Sequence, residues 1–381
     1  MKAKRLHILN NLPTPYNDGF FKALHEDDDV ISYVHHLHRV SSRRPWKVEM
    51  AQGYPNRYVK TFLGIDWCSL KVAWKDKSSL FLVGDWAHVP SIAIFIARII
   101  RGTPVALWAD TPQEHLHRPW WKRLPRQLFL KILLQNLDVI FATGAPSRRG
   151  LTEMGAPARK IVDLQFAVDL DHPANARSSE TFLVSATELR ASVGCSKRGI
   201  VFGMSGTIDF FKKAQHLGLR AFSQALEKSG IALGLLIAGT GDELDKLKAM
   251  AEELGITDSV SFLGWQDPEQ MDAFYESIDV LLHPAIFDPF PLVVIESLCW
   301  GKPVIGTKTS GSVEQKVIDG VSGYVIAPDS IEEIVDAILK VSVAGEDWLE
   351  PARKQARLTA EEWPYSRLVS IVRTQLGNLV K

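Results

Sequence analysis

The sequence predicts an α/β protein made of two Rossmann-like domains, each with a parallel sheet. Short apolar runs alternate with amphipathic helical stretches along all 381 residues, which is typical of repeated βαβ units. The runs fall into two sets, because the periodic pattern lapses between 170 and 198 around the polar, turn-rich segment DHPANARSSE. A chain of this length also favours two hydrophobic cores over one. We therefore expect domains at 1–175 and 190–363.

Each set of apolar runs predicts the strands of one sheet. The first set lies at 6–12, 30–37, 80–85, 104–109, 138–144 and 160–166. The second set lies at 199–206, 233–241, 260–265, 279–285, 303–307 and 323–327. Helical patterns separate the runs, as in DELDKLKAMAEELGI at 242–256, where apolar residues recur at helical spacing. A last helical pattern follows Pro364.

The composition argues against several functional classes. Lysine plus arginine and aspartate plus glutamate both number 44, and this zero net charge argues against a nucleic-acid partner. Three cysteines without paired spacing argue for a reducing compartment. The N-terminus lacks the apolar run of a signal peptide. The most apolar segment, 91–100, contains Arg98 and is shorter than the ~20 residues that span a bilayer. We expect a cytoplasmic protein, with contact to the inner face of the membrane left open.

The stretch FDPFPLVVIESLCWGKPVIGT at 287–307 carries the clearest chemical signal. Asp288 ends a loop, Pro291 suits the first position of a hydrophobic helix, and Glu296 follows eight positions after Asp288. Eight helical positions turn through about 800°, so both carboxylates can face one cleft. The free amides at the helix start form an anion site. Carboxylates beside a phosphate-binding helix start suit a nucleotide sugar.

This stretch resembles the Glu-x7-Glu signature of the retaining family-4 glycosyltransferases, which have the GT-B fold. Residues 199–327 resemble that family through IVFGMSG, a lysine pair, LLIAGTGDELDKL, VSFLGW, AFYESIDVLLHPA, the acidic pair, GKPVIGT and GVSGYVI. PTPYNDGFFKAL near the start and MGAP before 158 match more loosely. The resemblance implies two Rossmann-like domains that face a central cleft. It also implies that the last helix, 364–381, completes the N-terminal, acceptor-binding domain, while 190–363 bind the donor.

The resemblance assigns roles to the acidic pair and the lysines. Glu296 would bind the ribose, since a carboxylate accepts hydrogen bonds from two adjacent hydroxyls. Asp288 stands where the family has a longer Glu that contacts the donor sugar. Lys213, with Lys212 as its alternative or helper, would hold the diphosphate, and Thr207 stands where the family has an arginine. The alternatives are a solvated helix Glu, a turn Asp and a solvated lysine pair.

Further donor contacts are expected from loops at the carboxyl ends of strands. Glycines in AGTGDEL allow close backbone approach to a ligand, and the residue after VSFLGW lies where the family cradles the base. Pro291 replaces a family glycine, which removes one amide and leaves that of the next residue. The expected set is Gly206, Thr207, Gly239, Gly241, Trp265, Phe290 and Leu292.

Two candidate residues fall in the N-terminal half. Gly19 ends the predicted loop NNLPTPYNDG at 10–19 and is expected to reach the donor. The alternative is that this loop caps the following helix. Asp110 follows the strand PVALWA and is expected to contact a donor hydroxyl or the acceptor as a catalytic residue. An N-cap or turn role before Pro112 is the alternative.

Neither a metal nor a cofactor is expected. The histidines at 35, 36 and 38 and at 115 and 117 lack cysteine support and metal-site spacing. A pyridoxal-dependent phosphorylase shares the GT-B fold, but no lysine here has a persuasive cofactor context. Cations and a helix dipole would stabilise the departing diphosphate instead.

The segment HRPWWKRLPRQLFLKILL at 117–134 combines basic and aromatic residues, a composition typical of the membrane interface. Pro125 is expected to interrupt any single helix here. Peripheral membrane contact is the functional interpretation, and a solvated basic helix face is the alternative.

The sequence therefore predicts a retaining hexosyltransferase. It would move a sugar from a nucleotide-diphosphate sugar to a hydroxyl of a glycan or lipid-linked acceptor, in the synthesis of cell-surface polysaccharide. Two alternatives stay open. One is a protein of this fold that has lost catalysis and only binds nucleotide or glycan, which the departures at Thr207 and Pro291 favour. The other is a nucleotide-sugar epimerase of the same fold.

Overall fold

The structure, a computed structural model, describes residues 3–39, 53–109, 120–178, 180–195 and 199–380, but not the side chains of 120–123 and 180–181. The chain divides into two compact units. Unit 1 comprises Met1–Ala167 and Pro364–Lys381, and unit 2 comprises Val168–Trp363.

Each unit is built on a parallel sheet. In the described part of unit 1 the strands are β1 (Lys4–Asn10), β2 (Val30–His36), β3 (Asn56–Tyr58), β4 (Ser79–Val83), β5 (Val105–Ala109), β6 (Val139–Ala142) and β7 (Ile161–Asp163). In unit 2 they are β8 (Ile200–Ser205), β9 (Leu233–Ala238), β10 (Val260–Gly264), β11 (Val280–His283), β12 (Val304–Thr307) and β13 (Gly323–Ile326). The orders are β3-β2-β1-β4-β5-β6-β7 and β10-β9-β8-β11-β12-β13. Both are the doubly wound order of Rossmann folds.

Helices follow the strands in alternation. They are α1 (Pro15–His25), α2 (Trp67–Lys75), α3 (Val89–Arg101), α4 (Trp120–Asn136), α5 (Ala145–Glu153), α6 (His172–Ala176), α7 (Glu180–Ala191), α8 (Gln215–Ser229), α9 (Leu244–Glu253), α10 (Pro268–Ser277), α11 (Leu292–Cys299), α12 (Gly311–Lys316), α13 (Ile331–Ala344), α14 (Glu346–Glu361) and α15 (Tyr365–Leu379). Among the described residues, no helix combines the length and apolarity needed to cross a lipid bilayer.

All twelve apolar runs are strands, and the α/β prediction is confirmed. Most of these strands end one to three residues earlier than predicted, in several cases where a Gly, Pro or polar residue follows. The sequence did not predict β3. This strand has only three residues, NRY, and pairs with β2 at the edge of the sheet. Three residues are too few for an alternating pattern to register.

The sheet of unit 1 buries both faces. Leu6 and Ile8 point to a core that contains α1 and α15, whereas Leu9 points to a core that contains α2, α3, α4 and α5. This alternation follows from the two-residue period of a strand. Each apolar side chain buried in these cores contributes about 1.5–3 kcal/mol of transfer free energy.

Arg98 explains how a charged residue fits the apolar segment 91–100. Its side chain is fully buried in α3. The guanidinium donates to the carbonyl oxygens of Ala73 at 3.2 Å, Asp76 at 2.5 Å and Pro104 at 2.8 Å. Because every donor direction of a guanidinium can be satisfied this way, the buried charge ties α3 to the end of α2.

The predicted loop at 10–19 is wrong in its second half. Helix α1 begins at Pro15, with Thr14 as its N-cap, so Gly19 lies inside the helix. Proline is favoured in the first turn because its missing amide hydrogen has no helical acceptor there. A Cβ added at Gly19 would lie 2.5 Å from the Tyr365 hydroxyl oxygen of α15. The glycine therefore lets the last helix approach α1.

The interruption expected at Pro125 is also wrong, because α4 runs unbroken from Trp120 to Asn136. Pro125 is the sixth helical residue, so it removes only one early hydrogen bond of the ladder. Leu130, Leu133 and Leu134 are buried farther along and anchor the helix to the sheet. Tertiary packing outweighs the local cost of the proline.

Candidate functional site

Three loops at the carboxyl ends of neighbouring strands of unit 2 are joined by backbone hydrogen bonds. The Gly206 amide donates to the Ala238 carbonyl at 3.0 Å, and the Gly239 amide donates to the Gly264 carbonyl at 2.7 Å. The loops after β8, β9 and β10 therefore form one connected surface at the edge of the sheet where ligands of parallel α/β folds bind.

The glycines of this surface have different roles. A Cβ at Gly239, whose φ is 141°, would lie 1.9 Å from the Gly206 carbonyl oxygen. A Cβ at Gly241 would lie 2.2 Å from the Ile208 carbonyl oxygen. The sequence predicted that a ligand approaches these glycines closely, but in the structure the backbone of the loop after β8 occupies that position. Gly206 has a φ of 132° and open space around its Cβ direction.

A hydrogen-bonded turn carries the lysine pair. The Asp209 carboxylate accepts from the amides of Phe211 and Lys212, both at 2.9 Å, and its carbonyl accepts from the Lys213 amide at 2.9 Å. Buried Gln215 donates from Nε2 to the Thr207 carbonyl at 2.8 Å. These bonds hold the backbone from Thr207 to Lys213, although the Thr207 and Lys212 side chains are exposed.

Lys213 forms an ion pair with Asp288, which is buried. His283, the last residue of β11, places Nε2 3.5 Å from the same carboxylate oxygen. Burial would raise the pKa of Asp288, but the Lys213 ammonium and His283 outweigh burial and lower it to about 2. Burial lowers the pKa of His283, so its ring stays neutral at pH 7. The site therefore contains a carboxylate that stays ionised across the physiological range.

The loop after β12 holds Asp288 from the other side. The Gly311 amide donates to the Asp288 carbonyl at 2.9 Å, and the Ser312 hydroxyl donates to the Pro291 carbonyl at 2.9 Å. Asp288 and Ser310 also form a parallel bridge. The backbone on both sides of Asp288 is thus fixed before α11 begins.

The sequence suggested that Pro291 is the first helical residue of α11, but the structure shows that it is the N-cap. Its φ of −65° is helical, but its ψ of 115° is extended, so the helix starts at Leu292. The amides of Leu292 and Val293 have no acceptor within the helix at this position. They follow Asp288 by four and five positions and can bind an anion together with the helix dipole.

Glu296 lies one turn into α11 and is bound by Tyr275 of α10. The Tyr275 hydroxyl donates to Oε2 of Glu296 at 2.5 Å. Burial raises the pKa of Glu296, and the Tyr275 hydrogen bond opposes this rise. Burial and the Glu296 charge both raise the pKa of Tyr275, so the phenol stays protonated. Asp288 and Glu296, although predicted to face one cleft, have separate partners here.

The other predicted donor residues take different environments. Trp265 is half-buried, and Gln266 after it donates to the Leu263 carbonyl at 2.7 Å. Phe290 is buried, and Leu292 is half-buried at the start of α11. In unit 1, Gly19 lies inside α1, as described above. Asp110 lies outside the described residues.

Within the described residues, no group of three or more His, Cys, Asp or Glu side chains is arranged to hold a metal ion. His35 contacts His7 at 3.3 Å and accepts from Arg57 at 2.9 Å. His38 contacts His88 instead, at 3.2 Å. The histidines at 115 and 117 lie outside the described residues.

Sequence reasoning missed His283, Tyr275, Asp209 and Gln215. His283 was detectable in principle, because it is a polar residue near the carboxyl end of the apolar run at 279–285. No sequence pattern indicates the contact between Tyr275 and Glu296, since these residues are 21 positions apart and lie on different helices.

Part of the chain is similar to known glycosyltransferases. Residues 185–358 match the family model of the group 1 glycosyl transferases. D-inositol 3-phosphate glycosyltransferase of Corynebacterium jeikeium is 31% identical over 190 residues, 48% of this chain and 43% of that protein. GDP-mannose-dependent alpha-(1-6)-phosphatidylinositol monomannoside mannosyltransferase of Mycolicibacterium smegmatis is 24% identical over 252 residues, 61% of this chain and 63% of that protein.

The first curated relatives are matched over 38% to 43% of their own length. The crystal structure of Anabaena Alr3699/HepE in complex with UDP and glucose matches with a TM-score of 0.76 at 17% identity, over 99% of this chain and 100% of that chain. At this identity the likeness concerns the fold, and the fold is GT-B, as predicted.

Proposed function

Because residues 185–358 match the group 1 glycosyl transferases and the chain has the GT-B fold, we propose that the protein is a retaining hexosyltransferase. It moves a sugar from a nucleotide-diphosphate sugar to a hydroxyl of a glycan or lipid-linked acceptor, in cell-surface polysaccharide synthesis. It requires no metal and no cofactor. Nucleotide sugar is the donor class because UDP and glucose are bound in the structure of Alr3699/HepE.

The ion pair of Lys213 with Asp288 carries this proposal. Lys213 follows β8 and Asp288 follows β11, and these two strands are neighbours in the sheet. The strand order reverses between them, which makes this the topological switch point where doubly wound folds bind ligands. A cation and a carboxylate at this point suit the two chemically different parts of a sugar diphosphate.

In the proposed complex, Lys213 and the amides at the start of α11 hold the diphosphate, and exposed Lys212 adds a second cation. The reaction breaks the bond between the anomeric carbon and the diphosphate, so negative charge grows on the departing oxygen. Fixed positive groups lower the barrier most when they are aimed at that charge. Gly206, which has open space at its Cβ position, and exposed Thr207 begin the same loop and are proposed to contact the donor.

Asp288 accepts hydrogen bonds from hydroxyls of the sugar, and Glu296 accepts hydrogen bonds from hydroxyls of the ribose. Asp288 suits its role because its low pKa keeps it an acceptor at every physiological pH. Tyr275 binds Oε2 of Glu296, so Oε1 is the oxygen proposed to accept from the ribose. Trp265, Phe290 and Leu292 would enclose the nucleotide, while Gly239 and Gly241 shape the loops. Asp110 and Gly19 are proposed contacts from unit 1.

The acceptor proposal rests on the relatives. One is named for an inositol phosphate and another for a phosphatidylinositol mannoside, so a polyol or a lipid-linked glycan fits this protein. We also propose a cytoplasmic location with peripheral membrane contact through 117–134. Leu124, Leu128 and Ile132 of α4 support that contact, because they are each more than half exposed.

The first experiment measures thermal shift and turnover with UDP-, GDP- and ADP-sugars and with the free diphosphates. Ligand that binds the folded state raises the melting temperature by mass action. We expect one base to stabilise the protein, and Glu296→Ala to abolish that shift. Binding without turnover across acceptors would favour a lapsed enzyme. A donor that isomerises or hydrolyses without an acceptor would favour an epimerase.

A further inference from the structure

The outer surface of α2 and α3 in unit 1 contains an apolar groove of about 530 Å³. It is lined by Trp67, Leu70, Trp74, Ala93, Ile96 and Ile100. Trp67 is 54% exposed and Ile100 is 69% exposed. The two helices are held together beneath the groove by buried Arg98, so the groove is a fixed feature of the surface.

A tight turn projects two further apolar side chains beside this groove. Phe62 is 69% exposed and Leu63 is 81% exposed. Phe62 and Ile65 exchange backbone hydrogen bonds of 2.9 and 3.1 Å, and Leu63 has a φ of 53°. A Cβ at Gly64 would lie 3.8 Å from Val89, the first residue of α3. A leucine in a left-handed conformation is uncommon, and here it points an apolar side chain at solvent.

The exposed charges of the segment that builds the groove, residues 53–109, are of one sign. In the described stretch from 53 to 109, the carboxylates are Asp66, Asp76 and Asp85. Each is largely buried and paired within unit 1, with Arg57, Arg5 and His88 respectively. The exposed cations of the same stretch are Lys60, Lys71, Lys75, Lys77 and Arg101. Within the described residues 53–109, the exposed charges are therefore all positive.

The indoles lie at the border between the apolar and the charged parts. The Arg101 guanidinium stacks over the Trp74 ring at 4.9 Å, and Lys71 and Lys75 line the groove edge. Tryptophan is enriched where lipid headgroups meet acyl chains, because its ring is apolar and its N–H is polar. Lysine stems can lie along apolar surface while the ammonium reaches phosphates.

The helical layer continues this surface. Helices α2, α3 and α4 share one core on the same face of the sheet, through Ala73, Phe95 and Leu134. Leu124, Leu128 and Ile132 point outward from α4 in that layer. A protein partner would need acidic groups arranged around an apolar projection that fits this groove. An anionic bilayer supplies negative charge and an apolar interior over an extended area.

We propose that the groove between α2 and α3, with the Phe62–Leu63 turn, docks unit 1 on an anionic lipid bilayer. The turn and the indoles enter the boundary between headgroups and acyl chains, and Lys71, Lys75 and Arg101 bind headgroup phosphates. The groove and the turn are made by residues outside 117–134, although α4 extends the same helical layer, and docking does not depend on donor chemistry.

The test is flotation with phosphatidylcholine vesicles, with and without about one third phosphatidylglycerol, at low and high salt. We expect wild type to bind the anionic vesicles and to release them at high salt. Phe62→Ser/Leu63→Ser should weaken binding at least about tenfold, and Lys71→Glu/Lys75→Glu should do the same. Val343→Ser, at an 84% exposed site in unit 2, is the matched control and should bind like wild type.

A second measurement does not depend on the stability of these variants. Brominated lipids quench indoles that enter the bilayer, and Trp67→Phe/Trp74→Phe should remove most of the quenching. Melting temperatures and the nucleotide-sugar thermal shift should stay unchanged in all variants, which separates this proposal from the proposed function.

Three results would overturn the docking proposal. One is vesicle binding by the turn and lysine variants at wild-type strength. Another is loss of binding only in Leu124→Ser/Leu128→Ser, which would place the contact on α4 alone. The third is a lipid-free dimer that Phe62→Ser/Leu63→Ser converts to a monomer without any effect on vesicle binding, because a second copy would then occupy the groove.

Discussion

The Tyr275 hydroxyl donates a 2.5 Å hydrogen bond to Oε2 of Glu296, from a ring that is only 2% exposed. A phenol that is buried and stays protonated can act only as a donor toward this carboxylate. Tyr275 therefore fixes the direction in which Glu296 presents its other oxygen. This makes Tyr275 a positioning residue for the proposed ribose contact.

Tyr275→Phe is expected to raise the Kd and KM for the nucleotide sugar about tenfold, with a smaller change in kcat. A hydrogen bond to a charged group contributes about 1.5–3 kcal/mol, and its loss lets the carboxylate turn away. Calorimetric titration would measure the change in Kd, and initial rates would measure the changes in KM and kcat. Tyr324→Phe, at a ring that stacks on Trp348 in the same unit, is the control. Equal losses in kcat and affinity would contradict the positioning role.

Asp288→Asn is expected to separate nucleotide binding from turnover. The variant keeps the side-chain shape but removes the charge that pairs with Lys213. Lys213 is then free to interact with a diphosphate alone, so the free nucleoside diphosphate should bind as tightly as before or several-fold tighter. Turnover should fall at least about 100-fold, because the sugar loses an ionised acceptor. Parallel loss of nucleoside diphosphate binding would show that Asp288 organises the whole loop instead.

Thr207→Arg is expected to tighten binding of the nucleoside diphosphate by about tenfold, since one added charge pair contributes on the order of 1 kcal/mol or more near a protein surface. Thr207 is exposed in the loop after β8, so the longer side chain has room. The gain should shrink at high salt. Thr257→Arg, at an exposed position before β10 on the opposite edge of the sheet, is the control. No change in affinity would indicate that the diphosphate does not lie beside this loop.

Gly239→Ala is expected to destabilise unit 2 far more than Gly206→Ala. Both positions have positive φ angles, which cost about 1–3 kcal/mol for alanine. Only the Gly239 substitution also drives a Cβ to 1.9 Å from the Gly206 carbonyl oxygen, so the two loops must separate. Thermal unfolding of both variants measures the difference. Similar melting temperatures would mean that the loops can part at little cost.

Acid is expected to destabilise the fold from about pH 6.5 downward. Burial lowers the pKa of His7 and His36 to about 4 and of His35 to about 3. Unfolded imidazoles take up protons below about pH 6.5, whereas the folded ones stay neutral to about pH 4. The unfolded state therefore binds more protons in this window, and the free energy of unfolding falls as pH falls.

His36→Phe should remove part of this pH dependence, by up to about 3 kcal/mol between pH 6.5 and 4, because one pKa unit corresponds to about 1.36 kcal/mol. The phenyl ring keeps the packing against Tyr58. Denaturant unfolding at pH 7.5 and pH 5 gives the comparison. An unchanged slope would assign the acid sensitivity to other groups. Asp288 contributes separately and later, since its stabilisation is lost only as pH falls from about 4 toward about 2.

Local pattern was sufficient for the twelve predicted strands but not for their ends or for the short strand β3. The twelve apolar runs became strands because a buried parallel strand must be continuously apolar. The predicted helix start at Pro291 and the predicted interruption at Pro125 were wrong. A proline restricts its own φ and the conformation of the residue before it, but packing decides where a helix begins or continues. The loop that was expected to extend to Gly19 ends at Thr14, because helix α1 already begins at Pro15.

The sequence by itself determined the α/β class, the two sets of strands and the acidic and basic residues at strand ends, because these depend on local periodicity. Only the tertiary structure decided which of those residues meet. Lys213 reaches Asp288 across 75 positions, and Tyr275 reaches Glu296 across 21. Such pairs follow from the order of strands and the packing of helices on the sheet. No short segment of chain carries that order, since burial of the whole core selects it.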